Sequence, residues 1–112
     1  MICERWQTVA VPFPFMERPA MKRRPALILS HRPFNDANNH TIMAMITAAM
    51  LDKWPSDHAI KDLAAAGLKH RCVIRWKVFT LPNEFIVKVL GKLGNDDQQA
   101  IESATAGILC AV

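Results

Sequence analysis

Cysteine is sparse, and its spacing excludes more than its number does. Cys3, Cys72 and Cys110 are far apart and odd in count, so they form neither a disulfide framework nor a C-x-x-C metal site. Such usage fits a reducing compartment, and the cytoplasm is the expected location. Long apolar runs are missing too. No stretch reaches the roughly 18 residues of a membrane span, and Met1-Ile2-Cys3-Glu4-Arg5-Trp6 has no signal-peptide pattern. No membrane partner is expected. There is no Gly-rich phosphate loop, no G-x-S-x-G elbow, no internal repeat, no low-complexity tract and no linker. The four histidines, His31, His40, His58 and His70, do not fall at metal-ligand spacing and have no acidic cluster beside them. Neither a metal nor a cofactor is expected.

What is present is apolar and basic. The chain has 112 residues, of which 51% are hydrophobic, enough for a single domain over residues 1–112 with a core of its own. Its formal net charge is +4 and its pI about 9.3. That balance favours an anionic partner, whether nucleic acid, an acidic protein or a membrane surface.

The pattern along the chain is one of short strands. Gln7 to Val11 reads as a first strand, leading into Pro12-Phe13-Pro14-Phe15, where two prolines forbid helix and limit pairing. Residues 16–23 form a polar, basic connection. In Arg23-Arg24-Pro25-Ala26-Leu27-Ile28-Leu29-Ser30, Pro25 holds Arg24 in extended backbone and suits the start of a strand. Ala26 to Leu29 then reads as a strand buried on both faces. Residues 31–40 are turn chemistry throughout. Thr41 to Thr47 is a central strand. Beyond it, Ala59 to Leu63 reads as a short strand, or Asp62 to Ala66 as a helical turn closed by Gly67.

Cys72 to Leu81 is a clear strand, with Cys72, Ile74, Trp76 and Val78 on one face and Val73, Arg75, Lys77 and Phe79 on the other. Phe85 to Leu90 is a further strand. Asn95 is an N-cap with Gln98 at capping-box spacing, opening a helix whose Ala100, Ile101, Ala104, Ile108 and Leu109 make a core-facing stripe. Five or six strands and one C-terminal helix, without βαβ alternation, predict an α+β, mainly β fold. Its form is a small, strongly bent antiparallel sheet or partial barrel with the helix packed on it.

The chemistry-bearing residues are cationic. Arg23, Arg24, Arg71, Arg75 and Lys77 are candidates for phosphate contact, with Thr47 as a hydrogen-bonding partner. Arginine suits that task because its planar fork engages two oxygens and keeps its charge. From chemistry alone the chain is an anion-binding domain or a fold with a solvated basic face.

Several stretches resemble the MazF/PemK toxins of type II toxin–antitoxin systems. They are Val11-Pro12-Phe13-Pro14-Phe15, Lys22-Arg23-Arg24-Pro25-Ala26-Leu27-Ile28-Leu29-Ser30, Met45-Ile46-Thr47, Ala66-Gly67-Leu68 with Val73-Ile74-Arg75-Trp76, and Leu90-Gly91-Lys92-Leu93. Their order and spacing match over nearly the whole chain. The resemblance implies an SH3-like barrel of the CcdB/MazF type. It also implies a homodimer that cuts single-stranded RNA without metal, and a partner antitoxin that inhibits it. Catalytic roles carry over to Arg24 and Thr47, and from the PemK/Kid branch to Arg75. Arg18, Lys22, Arg23, Arg71, Lys77 and Phe15 are the RNA-binding candidates. His31 is a candidate general acid or base, since imidazole titrates in a suitable range. Lys77 stands where PemK/Kid toxins place an aspartate, Ala48 where a serine commonly follows the threonine. An antitoxin would be acidic and partly disordered, folding over the Arg18–Arg23 loop and the groove. The alternatives are a CcdB-like gyrase poison on the same fold, or a decayed homologue that only binds an antitoxin.

Overall fold

The computed structural model describes residues 1–13, 22–48 and 53–110. Among the described residues, six strands form one antiparallel sheet in the order β4-β5-β3-β2-β1-β6. They are β1 (Gln7–Phe13), β2 (Lys22–Ile28), β3 (His40–Ala48), β4 (His58–Ala59), β5 (Cys72–Pro82) and β6 (Lys88–Lys92). The described residues also form two α-helices, α1 (Arg32–Asn38) and α2 (Asn95–Leu109). The register shifts between Thr8 and Val9 in the β1–β6 pair and between Ala44 and Met45 in the β3–β5 pair. Such irregularities bend a strand and raise its twist, and the sheet curls into a half-barrel.

The sheet buries both faces. Ala26, Leu27 and Ile28 are all fully buried, as a run without polar alternation requires. One face holds Val9, Val11, Ala26, Ile28, Met43 and Ile86, with Met45, Phe79 and Leu81 against them. The other holds Leu27, Ala44, Ile46, Ile74, Leu93 and Ile101 of α2, with Cys72 and Trp76 packed alongside. The predicted assignment of Cys72, Ile74 and Trp76 to one face of β5, and of Phe79 to the other, therefore holds.

Several expectations change. β1 runs on through Pro12 to Phe13, and β2 opens at Lys22 rather than at Pro25, so the end of the expected 16–23 connection is strand. Residues 32–38 form a helix instead of an irregular turn. Pro33 sits at its start, where a missing N–H costs nothing, and Asn39 ends it at φ 52°, the left-handed position asparagine tolerates. The helix is pinned by buried Asn35, whose Nδ2 donates to the carbonyls of Cys3 at 3.0 Å and Ser30 at 3.1 Å. The last strand begins at Lys88 rather than Phe85, because a 3-10 turn occupies Asn83–Phe85.

The N-cap of α2 is Gly94, without a side-chain cap. Gln98 donates to the Leu93 carbonyl at 2.6 Å instead of closing a capping box. In the α2 stripe only Ile101 is buried; Ile108 and Leu109 are exposed, Leu109 at 66%. Of the two readings near residue 60, both are partly realised. A two-residue strand, β4, is followed by turns through 63–67 that end at Gly67 with φ 70°.

Candidate functional site

The register determines which predicted residues meet. In the β2–β3 pair Ala26 faces Met45 and Leu27 faces Ala44. Carried two residues further, the same register sets Arg24 across from Thr47. On the other side of β3, Met45 faces Arg75 and Thr47 faces Val73. Residues two apart on a strand share a face. Arg24, Thr47 and Arg75 therefore lie on the face that carries Ala26, Ile28, Met43 and Met45, at the end where that apolar floor stops. The backbones of β2 and β5 flank β3 and stand about 10 Å apart.

Exposure follows the same layout. Arg24 is exposed and Thr47 half-buried, at the rim of a floor whose Ala26 and Met43 are fully buried. Pro25 does not open the strand as expected, since β2 already runs from Lys22 and Pro25 lies opposite Ala10 within it; its ring keeps Arg24 in extended backbone. Lys22 lies on the Arg24 face, and Arg71 on the Arg75 face just before β5; both are exposed. Arg23, also exposed, alternates to the opposite face. Lys77 is exposed and lies where the β3–β5 register shifts. His31 precedes α1, at the opposite end of β2 from Arg24, so the structure does not bring it to this cluster. Arg18 and Phe15 lie outside the described residues.

Arg75 has a partner that its neighbours in sequence do not reveal. Its Nε donates to Asp57 Oδ1 at 3.1 Å and its Nη2 to Asp57 Oδ2 at 2.8 Å. The pair is bidentate and well covered, with side-chain exposures of 14% and 9%. The Arg75 hydrogen bond, helped by the Trp54 N–H, holds the Asp57 carboxyl below the usual carboxylate range against the effect of burial. Asp57 thus stays an anion at neutral pH and orients the guanidinium. The Trp54 indole lies over the same group, 5.4 Å from Arg75 Cζ to the ring centroid. Asp57 and Trp54 were not candidates in the sequence. Asp57 is 18 residues from Arg75, and only the β4–β5 pairing of His58 with Ile74 brings it close. Cys72 packs on the other face, where burial pushes its thiol pKa up, as a core residue.

A second carboxylate, this one buried, supports this corner. Asp97, in the first turn of α2, is fully buried. It accepts from the N–H groups of Lys61 at 3.0 Å and Asp62 at 3.0 Å, and meets His58 Nε2 at 2.8 Å. Burial alone would raise its pKa, but the two N–H donors and His58 outweigh it, and the net shift is downward.

Comparison with known proteins identifies the family and the fold. Residues 4–109 match the model of the PemK-like, MazF-like toxins of type II toxin–antitoxin systems. The chain belongs to that family. Comparison with curated protein sequences gives no significant match. Among solved structures, the MazE–MazF complex from Deinococcus radiodurans is similar at TM-score 0.77 and 15% identity, over 100% of both chains. An endoribonuclease in complex with its cognate antitoxin from a mycobacterial species is similar at 0.74 and 17% identity, covering 99% of this chain and 96% of that one. The Mycobacterium tuberculosis toxin MazF-mt6 is similar at 0.71 and 19% identity, covering 90% and 93%. These likenesses show the fold, a curled antiparallel sheet with a C-terminal helix. Among the described residues, no helix is long and apolar enough to cross a membrane.

Proposed function

We propose that this toxin-family chain is an endoribonuclease that cuts single-stranded RNA without a metal ion. The observation that carries the reading is the convergence of Arg24, Thr47 and Arg75 at one end of one sheet face. In the reaction the ribose 2′-oxygen attacks phosphorus, its proton leaves, and the bond to the 5′-oxygen breaks as that oxygen is protonated. The products end in a 2′,3′-cyclic phosphate and a 5′-hydroxyl. Charge builds on the phosphorane oxygens, so fixed cations stabilise the transition state more than the ground state. Arg24 and Arg75 supply those cations from either side of β3, and Thr47 donates a hydrogen bond between them. Lys22, Arg23, Arg71 and Lys77 serve the RNA backbone, with Arg18 and Phe15, which lie outside the described residues, as further RNA contacts. Within the family reading the chain works as a homodimer and is silenced by an acidic, partly disordered antitoxin matched to the basic face. The mycobacterial and Deinococcus relatives solved with antitoxins support such a partner.

The test is incubation of a long unstructured RNA with purified protein in EDTA, beside Arg24→Ala. The wild type should give discrete fragments with cyclic-phosphate ends. The variant should be slower by about 100- to 1,000-fold, the usual cost of one preorganised charge-stabilising donor, with an unchanged far-UV spectrum. Intact RNA from well-folded wild type would overturn the nuclease reading and favour a toxin that acts by binding a protein target.

A further inference from the structure

Trp54 is 41% exposed, yet it is not a loosely held surface aromatic. The Asp57 N–H donates to the Trp54 carbonyl at 3.0 Å, and the Trp54 N–H donates to Asp57 Oδ2, also at 3.0 Å. Pro55 between them fixes the turn and keeps Trp54 extended. The same carboxylate that closes this turn grips Arg75, and the indole lies against Arg75. A large aromatic is thus immobilised beside the candidate phosphate site with much of its surface open to solvent.

We propose that Trp54 is a base-stacking residue of this site, receiving the nucleobase next to the phosphate that Arg24, Thr47 and Arg75 engage. The inference rests on the ribonuclease reading above. Single-stranded RNA is recognised largely by unstacked bases laid on aromatic and guanidinium planes, and every base offers a π-face whatever its sequence. The ligand class is therefore a single-stranded ribonucleotide segment, with its base on the indole and its phosphate on the cations. The turn is already formed, so little ordering remains to oppose binding.

The experiment uses a fragment that the wild type cuts, remade with 2′-fluoro riboses so that it lacks the nucleophile and carries a fluorescent label. Binding is followed by anisotropy across a salt series. Trp54→Ala should weaken binding by about tenfold, within the range measured for one stacked base, and leave the slope of log Kd against log salt unchanged. Trp54→Phe should stay within about threefold of wild type, since it keeps an aromatic face. Arg75→Ala, by contrast, should reduce the slope by about 0.7, one phosphate contact on a single strand. Equal binding by wild type and Trp54→Ala, with RNA still cut by both, would overturn the stacking role and leave the nuclease reading intact. A change in salt slope on Trp54→Ala would overturn it too, by showing that the loss runs through Arg75. Failure of the wild type to cut or bind RNA would overturn both.

Discussion

At the scale of single residues, two carboxylates, the buried Asp97 and the half-buried Asp57, carry much of the specificity of this fold. Asp97 sits in the first turn of α2, but its oxygens serve the backbone of the loop before the helix and His58. Asp57, one residue before His58, serves Arg75. The start of α2 and the candidate site are therefore joined through adjacent residues. The Asp97 pKa is lowered in the folded chain, so its stabilisation is complete above the unfolded carboxylate value of about 3.9. It is lost as pH falls through the lower folded value. Denaturant midpoints measured from neutral pH into acid should show wild-type stability falling below about pH 4. Asp97→Asn should flatten that acid limb. Asp97→Ala should also cost about 1–3 kcal/mol for each N–H left buried without a partner, already at neutral pH.

At the scale of elements, the most demanding contact is the close approach of the 63–67 turn to β6. Gly67 has φ 70°, and a Cβ there would lie 2.1 Å from the Leu90 carbonyl oxygen. Gly67→Ala should therefore cost at least about 2 kcal/mol, combining left-handed backbone strain with the clash. Gly107, inside α2, has nothing within 4 Å of such a Cβ. Gly107→Ala should raise stability by about 0.5–1 kcal/mol, and thermal or denaturant unfolding of the two variants should move in opposite directions.

The elements also show what the sequence made legible. Strands with uninterrupted or alternating apolar residues, such as 26–28 and 72–79, were readable because their partners lie on the same face pattern. The helix at 32–38 was not. Pro33, Asn35, Asp36, Asn38 and Asn39 each favour turns locally, and the helix depends on Asn35 reaching Cys3 and Ser30. The N-cap of α2 is Gly94, one residue before the expected Asn95, and Gln98 is taken up by the Leu93 carbonyl instead of closing a capping box. Strand patterning and family resemblance made Arg24, Thr47 and Arg75 candidates, and the register sets them on one sheet face. The Asp57–Arg75 pair could not, since it depends on a two-residue strand whose sequence has no periodicity. Lys77 stands where a carboxylate is common in the PemK/Kid branch, and the acid that meets Arg75 comes instead from the turn before β4.

At the scale of the whole molecule, a net charge of +4 is distributed so that its site-facing members lie at one end of the sheet, around Lys22, Arg24, Arg71 and Arg75. The opposite end holds α1 and the Asn83 turn. Membership in a toxin–antitoxin family fits this polarity, since one charged rim can meet either an RNA backbone or an acidic partner. Beneath that rim a single sheet separates two apolar clusters. Leu27 and Ile28 are adjacent in the chain, yet one belongs to each cluster. The sheet is thus an energetic partition as well as a scaffold. In a double-mutant cycle, Ile28→Val and Ile46→Val, on opposite faces, should be additive within about 0.5 kcal/mol. Ile46→Val and Ile74→Val, directly paired on one face, should show a coupling at or above that size. Substitutions can then accumulate on one side of the sheet while the other keeps its own tolerance for change.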